Sequence, residues 1–111
     1  MTALAMSEAD LQQAVLDIAK YHRCLVHHCR PARTGSGTWA TPIQGDAGFP
    51  DLVIAGARGL LVRELKSEKG QASPAQAGWL SLLARCGVDV ATWRPSDLHS
   101  GRILAEIQAV G

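Results

Sequence analysis

Three residues have the types and spacing to do chemistry together: Asp51, Glu64 and Lys66. Two carboxylates that meet offer hard oxygen donors, which suit Mg²⁺ or Mn²⁺ better than softer metals. An ammonium beside them can stabilise negative charge or take part in proton transfer. The chain between them supplies the means of meeting. Asp51 leads into the apolar run Leu52-Val53-Ile54-Ala55, and Gly56-Ala57-Arg58-Gly59 forms a glycine-bounded turn. The second run, Leu60-Leu61-Val62-Arg63-Glu64-Leu65-Lys66, returns. Two short apolar runs around such a turn read as a β-hairpin. In an antiparallel hairpin the two open ends are neighbours, so Asp51 and Glu64 are expected side by side. Glu64 and Lys66 are two apart and project from one face of their strand.

This arrangement resembles a known family. Pro50-Asp51, followed after a strand and a turn by Glu64-Leu65-Lys66, is similar to the PD-(D/E)XK nuclease signature. The wider set includes Gly48-Phe49-Pro50-Asp51-Leu52, Ser73-Pro74-Ala75-Gln76 and Trp93-Arg94-Pro95. It resembles the VRR-NUC branch, in its stand-alone phage or bacterial form, over about Ser7 to Leu104. The resemblance implies a metal-dependent endonuclease that hydrolyses DNA phosphodiester bonds, selective for branched or junction DNA, and acting as a homodimer. It implies Mg²⁺ or Mn²⁺ held by Asp51 and Glu64, with the Leu65 carbonyl as a further ligand. It adds Glu8 from the first helix to the metal site and places Gln76 beside it. Lys66 is then the catalytic lysine.

The elements that must position these residues follow in order. Ser7-Glu8-Ala9-Asp10 has the form of a capping box opening a helix. Leu11, Val15, Ile18, Ala19 and His22 mark its buried stripe, with Glu8 and Gln12 on the same side. An acid in a first turn is also favoured by the helix dipole alone, so Glu8 has a bland reading as well. Cys24 to Cys29 reads as a short strand. Its cysteines and neighbouring histidines lack the paired spacing of a structural zinc site. Arg30 to Ala47 is read as a long loop, with Arg30 and Arg33 suited to phosphate and Trp39 to stacking on bases. Ser73 caps a second helix, Pro74 takes its first position, and Gln76 completes a capping box. Capping alone accounts for Gln76 adequately. Leu80, Leu83 and Ala84 share its face, Trp79 lies at the edge, and Gly87 ends the helix. Val88 to Trp93 reads as a strand, brought parallel to the Glu64 strand by a right-handed crossover. Arg94-Pro95-Ser96-Asp97 breaks it, and Arg94 emerges at the same sheet end as Lys66. With Lys69, it completes the candidate nucleic-acid contacts: Arg30, Arg33, Lys69 and Arg94. Leu98, Ile103, Leu104 and Ile107 suggest one closing amphipathic helix.

The expected fold is α/β, a small mixed β-sheet flanked by helices in the order α-β-β-β-α-β-α. The 111 residues suffice for one domain, taken as 1–111, but not for two. A net charge of +1 does not by itself announce a nucleic-acid binder, so any binding face must come from local clustering. No apolar run is long enough to span a bilayer. The first residues lack the pattern of a signal peptide, and three cysteines show no disulfide framework. These features suggest a cytoplasmic protein, and the resemblance implies a bacterial or phage-infected cell. Two other readings keep the fold and drop the reaction: a non-catalytic nucleic-acid-binding module of a larger assembly, and a structural domain with a surface ion pair at Glu64.

Overall fold

The computed structural model describes residues 5–28, 32–33, 39–40 and 44–111. Its elements are α1 (Glu8–Tyr21), β1 (Leu25–His28), β2 (Ala32–Arg33), β3 (Trp39–Ala40), β4 (Leu52–Gly56), β5 (Gly59–Leu65), α2 (Pro74–Arg85), β6 (Val90–Trp93), α3 (Pro95–His99) and α4 (Arg102–Val110). Four strands form one mixed sheet in the order β1-β4-β5-β6. β1 and β5 flank β4 antiparallel, and β6 joins β5 in parallel. The crossover through α2 is therefore as expected.

Side-chain alternation decides what each face of the sheet does. Leu52 and Ile54 of β4 lie opposite Arg63 and Leu61 of β5, and Leu65 lies opposite Trp93 of β6. This face carries the core, where Leu11, Val15 and Ala19 of α1 meet Ile103 and Ile107 of α4 over Leu52, Ile54, Leu61, Leu65 and Trp93. Burying a side chain of this size contributes about 1.5–3 kcal/mol, which explains why the two amphipathic helices close over the strands. Val62 and Glu64 belong to the opposite face.

Sequence and structure part in three places. Within the stretch read as a loop, β2 and β3 pair antiparallel, with Ala32 opposite Ala40 and Arg33 opposite Trp39. The closing segment is two helices instead of one. Pro95 starts α3 at its first position rather than merely ending β6, and Gly101, at φ +87°, turns the chain between α3 and α4. The hairpin glycines serve packing rather than turn chirality. Neither Gly56 nor Gly59 has positive φ. A Cβ on Gly56 would overlap the Val110 carbonyl, and one on Gly59 would crowd the Val110 side chain. The end of α4 is tied down there by bonds from Arg58 N to Val110 O (2.8 Å) and from the Arg58 guanidinium to the carbonyls of Gln108 (2.7 Å) and Gly111 (2.8 Å). Among the described residues no helix is long and apolar enough to cross a membrane.

Candidate active site

β4 begins one residue after Asp51, and Leu52 pairs with Arg63. Continuing that antiparallel register by one step sets Asp51 opposite Glu64. The segment entering β4 is held firmly. Gly48, at φ +100°, approaches the Ala75 backbone so closely that a Cβ would collide with it. Trp79 Nε1 of α2 donates to the Ala47 carbonyl at 3.1 Å, and Phe49 meets the Trp79 ring edge-on at 5.1 Å. Asp51 is then fixed by the strand it faces, because its Oδ2 accepts from Leu65 N at 2.8 Å.

Glu64 is the unusual member. It is 1% exposed, and its Oε2 has no hydrogen-bond partner among the described residues. Burial pushes its carboxyl up to about 9, with hydrogen bonding to Asp51 and the Asp51 charge adding to the effect. Lys66 acts in the opposite sense, and Glu8 adds a further upward push. Asp51, Lys66 and Glu8 are therefore each close enough to act electrostatically on Glu64. A proton on Glu64 relieves its repulsion with Asp51 at neutral pH, and a divalent cation held by the two carboxyls would do the same.

This donor set fits a hard cation. The oxygens of Asp51 and Glu64 converge, and Glu64 Oε2 is an orphaned acceptor. Among the described residues no three His, Cys, Asp or Glu side chains converge closely enough to hold a metal by themselves. Glu8 is exposed at the start of α1, where Ser7 Oγ caps the helix by accepting from Asp10 N at 3.1 Å. Two carboxylates would leave most of the coordination sphere to water and other oxygens, a pattern usual for Mg²⁺.

Gln76 is committed to its helix. Its Oε1 accepts from Ser73 N at 2.9 Å while Ser73 Oγ accepts from Gln76 N at 3.2 Å, so both halves of the capping box form. Only the amide nitrogen of that side chain is left for other work. Lys69 is exposed just beyond the site. Arg30 lies outside the described residues, and Arg33 belongs to the small β2–β3 pair.

The sequence model of the VRR-NUC domain matches residues 7–96. The chain belongs to the VRR-NUC domain family. A solved structure described as a VRR_NUC domain protein has the same fold at a TM-score of 0.60, with 23% identity over 95% of this chain and 88% of that one. No curated protein matches the chain. Membership makes this a nuclease-type domain, for which DNA is the expected partner.

Sequence reasoning missed a polar cluster on the opposite side of β5 of this VRR-NUC domain. Arg63 is 2% exposed, yet it points into the core face. Its Nη1 donates to the Asp89 carbonyl at 2.6 Å, and its Nη2 donates to Asp89 Oδ1 and Glu106 Oε1, both at 2.9 Å. The guanidinium lies 5.0 Å from the centre of the Trp93 ring, whose Nε1 also donates to Glu106 Oε1 at 2.9 Å. Burial alone would push the Glu106 carboxyl up, but bonds from Arg102, Trp93 and Arg63 outweigh it and hold it below its usual range. The signal was present in the alternation: an arginine between Leu61 and Leu65 on an apolar face requires acceptors.

Proposed function

We propose that this VRR-NUC domain is a divalent-metal-dependent endonuclease that hydrolyses DNA phosphodiester bonds, selective for branched or junction DNA. The observation carrying this reading is the Asp51–Glu64 carboxyl pair, in which Glu64 is buried and Asp51 half-buried, with Lys66 acting on Glu64 from the same strand end. In this reading Asp51, Glu64 and the Leu65 carbonyl would hold Mg²⁺ or Mn²⁺, with Glu8 contributing its charge from the start of α1. When bound, the ion supplies Lewis-acid polarisation of the phosphate and acidifies a water molecule.

The chain's own groups do the rest. Asp51 is oriented before any ligand arrives, because the Leu65 amide fixes its Oδ2. Burial keeps Glu64 protonated at neutral pH, and a cation held beside it would favour its ionised form. Lys66 directs its ammonium at the phosphate, where it stabilises the developing charge and holds the attacking water. Lys69, Arg33 and Arg30 are the residues we assign to phosphate contact.

Cutting both strands of a branched duplex requires two sites in fixed relation, which a two-fold dimer provides. The surface we assign to it is α2, which buries none of its residues in the single chain although it carries Trp79, Leu80, Leu82 and Leu83. The apolar side of α4 is not available, because Ile103, Ile107 and Val110 are already in the core.

The test is cleavage of four-way-junction, flap and linear DNA with Mg²⁺ or Mn²⁺, with and without chelator. Junction cleavage that vanishes in chelator and in Lys66→Ala is expected; activity retained in chelator overturns the assignment. Light scattering should give twice the chain mass of 11.8 kDa. A monomer that makes paired cuts would refute the dimer.

A further inference from the structure

Arg94 stands at the end of β6, where an exposed arginine would be free to meet a phosphate. It does something else with its charge. Its Nη1 donates to three carbonyl oxygens of the turn that follows Lys66: Ser67 at 2.8 Å, Glu68 at 3.2 Å and Gly70 at 2.7 Å. The side chain is half-buried. Three carbonyls converging on one cationic nitrogen make a cage for that guanidinium, and charge-assisted bonds of this kind are about twice as strong as neutral ones.

The turn is pinned from its other side as well. Gly70 N donates to Ser67 O at 3.2 Å, closing it, and Lys66 N donates to Trp93 O at 3.1 Å, tying its start to β6. The Glu68 carboxylate accepts from Ser96 N at 2.9 Å at the start of α3. Asp97 Oδ2 in turn accepts from Arg94 N at 2.8 Å, fixing the backbone from which the guanidinium extends. The lysine stem lies beside this turn: a Cβ placed on Gly70 would meet Lys66 Cδ at 3.5 Å, an ordinary van der Waals distance, and would crowd Ser67 Oγ at 2.9 Å.

We propose that Arg94 is a positioning residue for Lys66: by gathering the carbonyls of Ser67, Glu68 and Gly70 it shapes the turn that supports the lysine stem, and so holds the ammonium at the Asp51–Glu64 pair. The catalytic consequence rests on the nuclease reading given above; the mechanical one does not. Arg94 acts through the turn, and its charge is used inside the protein instead of on nucleic acid. Five bonds, four from residues 94–97 to the turn and one between Arg94 and Asp97, therefore fasten the turn to the start of α3.

The experiment compares the parent domain with Arg94→Met, which keeps much of the side-chain length without the donors, and Arg94→Lys, which restores a cation that can donate. Amide exchange at Gly70, the NMR order parameters of the Lys66 methylenes, DNA affinity against salt, and kcat and KM on junction DNA are all measured. Arg94→Met is expected to exchange the Gly70 amide at least tenfold faster, to loosen Lys66, and to lower kcat at least tenfold. DNA affinity and its salt slope should stay within twofold of the parent, and Arg94→Lys should recover part of each loss. The proposal is overturned if Gly70 exchange and Lys66 order do not change. It is overturned equally if Arg94→Met instead weakens DNA binding and reduces the salt slope by about one, the mark of a lost phosphate contact. A parent that cleaves nothing, with the exchange and order changes present, removes the nuclease reading and leaves the clamp standing. A variant too unstable to measure as Arg94→Met leaves Arg94→Lys to decide on the same readouts.

Discussion

The buried acid of the site should make the metal-free domain less stable as pH rises through neutrality. Glu64 has an ordinary carboxyl value of 4.5 in the unfolded chain and about 9 in the folded one, chiefly because burial disfavours its charge. Between those values the folded state holds a proton that the unfolded state has released. The unfolded state therefore binds fewer protons, and the unfolding free energy falls as pH increases. Glu64 contributes its full stability below pH 4.5 and loses it progressively toward pH 9. Each pH unit inside that window is about 1.4 kcal/mol, so raising pH from 5 to 8 costs up to about 4 kcal/mol. That is a large part of the roughly 5–15 kcal/mol that holds a domain together. At about 4 °C per kcal/mol, the melting temperature should drop by ~15 °C. Glu106, held below its usual range, titrates the other way and only in acid, so it does not mask the trend. The assay is thermal melting at constant ionic strength from pH 5 to 8 in chelator, with Glu64→Gln as control. The amide cannot ionise and should flatten the profile. In the parent, Mg²⁺ or Mn²⁺ should restore stability most at pH 8, where the proton is weakest. A flat parent profile in chelator would refute the reasoning, as would an equal decline in Glu64→Gln.

Two further outcomes follow from the same geometry. Arg33→Ala and Lys69→Ala should each weaken DNA binding and reduce its salt slope by about one, leaving kcat at saturating DNA near the parent value; unchanged binding isotherms would remove them from the interface. Gly56→Ala should destabilise the domain by about 1–3 kcal/mol in a urea titration, because its methyl group meets the Val110 carbonyl that accepts from Arg58 N. A midpoint within error of the parent would show that the hairpin turn and the end of α4 do not pack as described.

Much of the site was legible because its geometry is local. Asp51 and Glu64 face each other through the register of one hairpin, and strand alternation puts Glu64 and Lys66 on one face. Ser7, Ser73 and Pro74 declared their helices through capping chemistry that acts within one turn. What the sequence did not disclose depends on partners distant along the chain. Gly56 and Gly59 looked like turn glycines, and only the arrival of Val110 shows that they clear space for it. Arg63 looked like one polar residue in a strand until Asp89 and Glu106 came within 2.9 Å of it.

Trp93-Arg94-Pro95 shows how one short motif can divide its work between two faces of a sheet. Trp93 faces the core, where it is fully buried and shares the Glu106 carboxylate with Arg63. Arg94 turns to the strand ends and holds the carbonyls after Lys66. Pro95 opens α3, whose first turn supplies the Ser96 amide to Glu68. A single change of direction at the end of β6 thus links the packing beneath the sheet to the turn beside the lysine. Residue types alone favour a phosphate contact for an arginine at this position, since exposed guanidinium groups serve that purpose well. In three dimensions the Nη1 group of Arg94 is taken up by the carbonyls of the turn that follows Lys66, which is the basis for assigning it a positioning role.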